Sequence, residues 1–241
     1  MNEALKQKIA ELERLLVRVA LEHSPAALAS SLSAEDMVIT DVMLRHELDI
    51  EIFTLDTERL HADTLNVIAA IRKRYGYDVR VFRPDPRAVA DYTARHGQDA
   101  FYESLELRKQ CCQLRKVEPL NRALTDKEAW ITGQRREQST TRGTLKTQEF
   151  DAARGIVKFN PLADWSEDEV WEYIRGLDVP YNALHDQGYR SIGCAPCTRP
   201  TVAGEDVRAG RWWWEIREAR ECGLHVAADG RLARAPAASE A

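Results

Sequence analysis

The sequence predicts an α/β protein in which helices cover both faces of a mostly parallel sheet. Short apolar runs of strand character alternate with longer helical patterns along the chain, and each run ends in a polar loop. The 241 residues, 44% of them hydrophobic, are enough to bury one sizeable core. Such alternation is typical of parallel sheets, which bind their ligands at the carboxyl ends of the strands.

The first predicted element is a helix over residues 3–23. Its apolar side chains recur at spacings of three and four: Leu5, Ile9, Leu12, Leu16 and Val19. Pro25 ends this helix. Residues 26–30 follow as a predicted strand, although Ala and Ser are poor strand formers.

The alternation continues through the middle of the chain. Helices are predicted over 36–48 and 60–75, strands over 51–54, 78–82 and 129–132, and helical segments from 87 to 123. Ser166 and Glu169 have the spacing of a capping box, so we expect a helix from there to Gly176. The stretch from Val179 to Gly210 is predicted to be rich in loops.

Composition and charge argue against several classes of protein. The net charge of -5 argues against nucleic-acid binding, which needs a basic face. A membrane span is not expected, because no run of 18 apolar residues occurs. The first residues lack a secretory pattern, which predicts a cytoplasmic protein. We expect one domain over residues 1–205 and a mobile, loop-rich segment over 206–241. A homo-oligomer is left open.

Four of the five cysteines stand in two pairs, and they are candidate metal ligands. Cys111 and Cys112 are adjacent, and Cys194 and Cys197 form a Cys-x-x-Cys motif. Four thiolates suit zinc or an iron–sulfur cluster. Successive side chains on a helix point about 100° apart, so an adjacent pair binds a single ion awkwardly. This favours a cluster, in which each thiolate binds its own iron; zinc and unliganded buried thiols remain the alternatives.

The fifth cysteine, Cys222, is a candidate nucleophile. A lone cysteine is more often an inert small apolar residue. Here the other four cysteines are already assigned, Gly223 gives the backbone local freedom, and His225 lies close in the sequence. A cysteine attacks as its thiolate, so nearby positive charge would activate it.

Polar loops follow three of the predicted strands and should meet at one edge of the sheet. They span residues 30–33, 56–58 and 133–137. The first precedes a helix N-terminus, where backbone N–H groups favour anions, so Ser31 and Ser33 are candidate ligand-binding residues. This loop has no glycine, which argues against a pyrophosphate cradle and hence against ATP hydrolysis.

Three segments of the sequence resemble the assimilatory adenylyl-sulfate (APS) reductases of the PAPS/APS reductase family. They are Cys-Cys-Gln-Leu-Arg-Lys at 111–116, Ser-Ile-Gly-Cys-Ala-Pro-Cys-Thr-Arg-Pro at 191–200 and Glu-Cys-Gly-Leu-His at 221–225. The resemblance spans roughly residues 30–225. It implies an adenine nucleotide alpha hydrolase-like fold and reduction of APS to sulfite and AMP.

The resemblance also implies the cofactor, the partner and the roles of the cysteines. A [4Fe–4S] cluster would be held by four thiolates: Cys111, Cys112, Cys194 and Cys197. Cys222 would attack the sulfur of APS to give an S-sulfonate, with His225 beside it. Thioredoxin would then release sulfite. Related PAPS reductases usually lack the four cluster cysteines, so APS is the expected substrate.

Several polar residues are expected to bind the substrate. The resemblance assigns the phosphosulfate to four cations: Lys116, Arg142, Arg208 and Arg211. Further candidates from the strand-end loops are Ser31, Ser33, Asp56, Arg135 and Arg136. Glu58 departs from the family pattern, which has glycine there, and must point away from the nucleotide unless the loop differs. A PAPS or dual-substrate reductase and a non-catalytic metal-binding regulatory module are the alternatives.

Overall fold

A computed structural model of the chain describes residues 1–139 and 142–215. Its helices are α1 (Glu3–Glu22), α2 (Ala34–Arg45), α3 (Ala62–Tyr75), α4 (Pro86–His96), α5 (Leu105–Cys112), α6 (Glu118–Ala123) and α7 (Glu167–Gly176). Its strands are β1 (Ala26–Ser30), β2 (Glu51–Leu55), β3 (Arg80–Phe82), β4 (Ala129–Ile131), β5 (Gln148–Asp151) and β6 (Ile156–Phe159).

The six strands form one sheet in the order β3-β2-β1-β4-β6-β5. All neighbouring strands are parallel except β5, which pairs antiparallel with β6 at the edge. Because β1 lies between β2 and β4, the carboxyl ends of the central strands open at the same edge. This arrangement confirms the predicted α/β class.

Alternate residues of the strands contact different layers of helices. Leu28 and Ile52 pack with residues of α1, α2, α3 and α7 in the larger core. Ala27 and Phe53 point the other way and pack with Leu120 of α6. The small side chains of β1 are therefore compatible with a strand that is buried on both faces, despite their weak strand propensity.

The predicted helices and strands are largely confirmed, with shifts of a few residues at their ends. Ser166 and Glu169 make the expected capping box at the start of α7. Gly76 ends α3 with a positive φ of 69°, a left-handed conformation that glycine adopts without strain. The strands β5 and β6 were not predicted, because their polar and charged side chains obscure the apolar alternation.

The described part of the predicted C-terminal segment, residues 206–215, is packed on the domain. Trp212 is fully buried, and its backbone N–H donates to the Cys197 carbonyl at 3.1 Å. The boundary at residue 205 and the mobility of the rest stay predictions. Within the described ranges, no helix is both long and apolar enough to cross a membrane.

Candidate active site

The polar loops after β1, β2 and β4 meet around one cavity of about 210 Å³. We call it the strand-end cavity. Ser31 and Ser33 contribute from the first loop, Thr57 from the second, and Gly133 and Gln134 from the third. The convergence expected from the sequence is therefore present at the carboxyl edge of the sheet.

Asp36 connects the loop after β1 to the loop after β4. Its carboxylate accepts from the Ser31 backbone N–H and hydroxyl, both at 2.6 Å, and from the Gly133 N–H at 3.0 Å. A Cβ at position 133 would lie 2.4 Å from the Asp36 carboxylate, so only glycine allows this approach. Leu32, which follows Ser31 in the first loop, adopts a positive φ of 62°, a conformation that is uncommon for residues other than glycine.

Burial raises the pKa of Asp36 to about 6, against the lowering effect of its hydrogen bonds to Ser31 and Gly133. A raised pKa means that the folded chain favours the protonated carboxyl. This preference stabilises the folded state fully below pH 3.8, the ordinary pKa of the carboxyl. The stabilisation is lost as the pH rises through about 6.

We therefore predict a difference in pH dependence between the wild type and Asp36→Asn. Between pH 5 and pH 7.5 the free energy of unfolding of the wild type should fall by roughly 1.4 kcal/mol relative to the variant, which has no carboxyl to ionise. Urea denaturation at both pH values measures this difference. Parallel curves for the two proteins would contradict the assigned burial of Asp36.

Four of the predicted cations line the strand-end cavity: Lys116, Arg142, Arg208 and Arg211. Arg211 lies directly over Gly193, where an added Cβ would be 2.4 Å from the guanidinium. Its Nη1 donates to the Ile192 carbonyl at 3.1 Å, which fixes the side chain. The cavity also receives the carboxylates of Glu35 and Asp36, so cations outnumber acids along its wall.

Three predicted substrate-binding residues do not line this cavity, because each is used to hold a loop. Asp56 accepts from the Arg83 guanidinium at 3.0 Å and from the Glu58 N–H at 2.9 Å. Arg135 is buried and pairs with Glu35 at 2.9 Å, and Arg136 pairs with Asp164. The loops that these residues hold carry the side chains that do line the cavity.

Glu58 has a left-handed backbone conformation, with a φ of 59°. Its carboxylate lies 3.5 Å from Arg115, whose Nη1 also donates to the Thr57 carbonyl at 2.7 Å. Glu58 therefore lies outside the strand-end cavity, and its left-handed φ is a strained conformation for a residue with a side chain.

The four paired cysteines surround a second, smaller cavity of about 20 Å³, which we call the cysteine cavity. All four are free thiols, and Cys112, Cys194 and Cys197 are buried. Lys116 lines both cavities, and the Thr57 hydroxyl lies 3.2 Å from the Cys194 sulfur. The two cavities are therefore direct neighbours.

The thiols of the Cys-x-x-Cys motif differ in acidity. Burial raises the pKa of Cys194, but the charge of Lys116, the Thr57 hydroxyl and the charge of Arg211 outweigh it, and the net pKa is lowered. Burial and the neighbouring Cys194 raise the pKa of Cys197 to about 12. Four thiols in one place cannot all ionise without a counter-charge, which a metal centre supplies on binding.

The surroundings of the cysteine cavity suit an anionic cluster. Its wall contains Arg59, Arg108, Arg115 and Lys116. The indole N–H of Trp212, which also lines it, is buried with no hydrogen-bond partner among residues 1–139 and 142–215. An N–H left in this way fits an acceptor such as a cluster sulfur. Within the same ranges, no group of three or more His, Cys, Asp or Glu side chains has the arrangement that would hold a metal ion.

Sequence reasoning missed three arginines that line the cysteine cavity: Arg59, Arg108 and Arg115. Arg108 precedes Cys112 by four residues, and Arg115 follows Cys111 by four. On a helix this spacing places each cation next to its thiol, so the signal was available. A π-helical turn over Gln113–Val117 begins directly after the cysteine pair, and Arg115 and Lys116 are buried within it. Such turns often mark functional sites.

Cys222 and His225 lie outside the described residues. Their predicted roles as nucleophile and neighbouring catalytic residue rest on the sequence. Of the three consecutive tryptophans, Trp212 is buried beside the cysteines, whereas Trp213 is 37% exposed. Trp212 is therefore a core residue of the cysteine-containing cluster.

The fold and the two neighbouring cavities define an α/β protein with a cation-lined cavity at the strand ends beside a four-cysteine site. Residues 25–200 match the phosphoadenosine phosphosulfate reductase domain, and the chain belongs to this family. An adenosine 5'-phosphosulfate reductase from Burkholderia cepacia is 57% identical over 222 residues, which cover 92% of this chain and 89% of the relative. The Allochromatium vinosum protein of the same name is 54% identical, covering 93% and 88%.

Solved structures show the same fold. A phosphoadenylyl-sulfate reductase from Candida auris, in complex with phosphate, matches with a TM-score of 0.68 at 23% identity, covering 83% of this chain and 98% of that one. An FMN adenylyltransferase from Candida glabrata matches with a TM-score of 0.58 at 14% identity, covering 87% and 72%. At such identities the likeness concerns the fold alone, and it confirms the expected α/β architecture with a mostly parallel sheet.

Proposed function

We propose that this chain reduces APS to sulfite and AMP through an S-sulfonate on Cys222, with thioredoxin as the electron donor. One observation carries the proposal: a cation-lined cavity at the strand ends shares Lys116 with a cavity formed by four cysteines. The family match and relatives named adenosine 5'-phosphosulfate reductase support the choice of substrate.

The strand-end cavity suits the two ends of the substrate. Leu55, Leu120 and Trp130 give it an apolar part that fits an adenine base. The phosphosulfate is assigned to the cations: Lys116, Arg142, Arg208 and Arg211. Fixed cations in a partly enclosed cavity stabilise the charge that develops on the leaving phosphate as the bond to sulfur breaks.

The chemistry balances with thiols alone. The Cys222 thiolate attacks the sulfate sulfur, a bond between the two sulfur atoms forms, and the bonding pair of the S–O bond leaves with AMP. A thioredoxin thiolate then attacks the Cys222 sulfur and releases sulfite. The second thioredoxin thiol resolves the mixed disulfide and restores Cys222. Two electrons pass from the thioredoxin thiols to the sulfate sulfur. His225 is assigned to this segment, as a base or as a positioning residue.

We assign a [4Fe–4S] cluster to the four paired cysteines. When bound, it would supply a structural anchor and a local electrostatic field, and no electrons, since the thiol steps need none. It would tie α5 to the loop that holds Cys194 and Cys197, and Lys116 would lie between it and the substrate. Thiols and such a cluster persist in a reducing compartment, so the reaction is assigned to the cytoplasm.

The proposal is tested by comparing substrates. We expect kcat/KM for APS to exceed that for PAPS by roughly 100-fold or more, because an added 3'-phosphate without a counter-charge is costly to bury. Sulfite and AMP are measured with reduced thioredoxin, and omitting thioredoxin is the control. Equal specificity constants would favour a dual-substrate reductase, and an absence of sulfite with either substrate would favour a non-catalytic module.

A further inference from the structure

We propose that Arg108 and Glu215 form a positioning pair, which fixes the start of the segment leading to Cys222 against the cysteine-bearing helix α5. The inference rests on the proposed role of Cys222 as the nucleophile. Neither residue lines the strand-end cavity, so both act through other residues. The two are 107 positions apart in the sequence.

The pair is buried and has the geometry of a strong ionic contact. Arg108 Nε and Nη2 donate to the two carboxylate oxygens of Glu215, both at 2.8 Å. The Arg108 side chain is fully buried and that of Glu215 is 8% exposed. Two parallel hydrogen bonds fix orientation as well as distance.

Trp212 connects Arg108 to a residue of the strand-end cavity. Arg108 stands one helical turn before Cys112 and lines the cysteine cavity. Its guanidinium lies 4.6 Å from the centre of the Trp212 ring, and Arg211 lies at the same distance from that ring. Arg211 belongs to the wall of the strand-end cavity. One buried tryptophan therefore contacts both a cation beside the cysteines and a cation assigned to the substrate.

Glu215 is the last described residue before Cys222. A turn closes on it, since its N–H donates to the Trp212 carbonyl at 2.9 Å. Seven residues later comes Cys222, and an extended chain of that length spans at most roughly 25 Å. The place at which Glu215 is held consequently limits which positions the Cys222 sulfur can reach. A small misplacement of a reacting group lowers rates strongly.

The decisive variant is Glu215→Gln, which keeps the shape and removes the charge. At saturating APS without thioredoxin, the rate of S-sulfonate formation on Cys222 should fall by roughly 10-fold or more. Iron content and APS affinity should stay within about twofold of the wild type, because the change lies outside both the ligand set and the cavity wall. Rapid quenching and peptide mass spectrometry measure the adduct.

Matched substitutions separate positioning from general stability. Glu118→Gln removes a carboxylate that pairs with Arg122 on the surface of α6, and it should leave the adduct rate unchanged. Should Glu215→Gln fail to fold, Glu215→Asp keeps the charge but is too short to hold both hydrogen bonds, and a smaller loss is expected. An unchanged adduct rate in the folded variant, or equal losses of iron and rate, would overturn the inference.

Failure of the proposed function has its own signature. If the wild type forms no adduct on Cys222, the proposed role of Cys222 as the nucleophile is wrong. The positioning role of Arg108 and Glu215 is then tested by alkylation. In that case the rate at which iodoacetamide modifies Cys222 is compared between the wild type and Glu215→Gln, each with bound APS. A changed rate supports the positioning pair, and identical rates refute it.

Discussion

Cys222→Ser is expected to abolish the covalent intermediate and to lower turnover by at least roughly 10⁴-fold. A serine hydroxyl is almost entirely protonated near neutral pH, whereas a thiol provides a thiolate fraction. Wild-type protein mixed with APS and no reductant should release one AMP per chain. It should also gain roughly 80 Da, the mass of SO₃, on the peptide that contains Cys222. Reduced thioredoxin should then release sulfite and restore the original mass.

The variant itself provides a control for this experiment. Cys222→Ser should still bind APS and retain its iron, since neither task is assigned to that sulfur. A sulfonate found on one of the four paired cysteines would contradict the mechanism, as would sulfite formed without a covalent intermediate. Turnover by Cys222→Ser at the wild-type rate would also contradict the mechanism.

Cys194→Ser is expected to lose iron and activity together. Its thiol is buried, and its pKa is lowered because Lys116, the Thr57 hydroxyl and Arg211 outweigh the effect of burial. The lowered pKa favours the thiolate, which is the form that binds a metal. Three remaining thiolates hold a four-iron cluster poorly. Iron per chain and the absorbance at roughly 400 nm should both fall, and a brown preparation should become nearly colourless.

Cys222→Ser is the matched control, because it makes the same chemical change at a cysteine outside the four. It should keep the wild-type iron content while Cys194→Ser does not. Full iron and full turnover in Cys194→Ser would exclude the cluster assignment. One zinc per chain in the wild type, with no colour, would indicate the zinc alternative.

The helices with strong periodicity and clear caps were predictable from the sequence alone. The apolar stripe of α1 and the capping box of α7 are local patterns, so they act before the chain is folded. The β5–β6 hairpin was missed because its polar and charged side chains obscure the apolar alternation, and their burial depends on contacts that form only in the folded chain. Lys158 of β6, for example, is buried because Gln134 and Glu149 both accept from its amine at 2.9 Å.

Residue spacing also predicted the four-cysteine site and the meeting of the strand-end loops. Charge type did not distinguish the roles of nearby arginines. Arg142 lines the cavity, whereas Arg135 is buried against Glu35, a residue 100 positions away. A side chain finds its partner only after distant segments have come together, so residue type alone could not separate these two arginines, although the family resemblance assigned only Arg142 to the phosphosulfate.

The sequence by itself determined the fold class, the family resemblance and the grouping of the four paired cysteines, because periodicity, caps and motif spacing are local properties of the chain. Tertiary structure alone decided that Asp56, Arg135 and Arg136 pair with other side chains instead of lining the cavity, and that Arg108 pairs with Glu215. Those contacts join residues far apart in sequence, and burial sets their strength by removing water that would otherwise screen them.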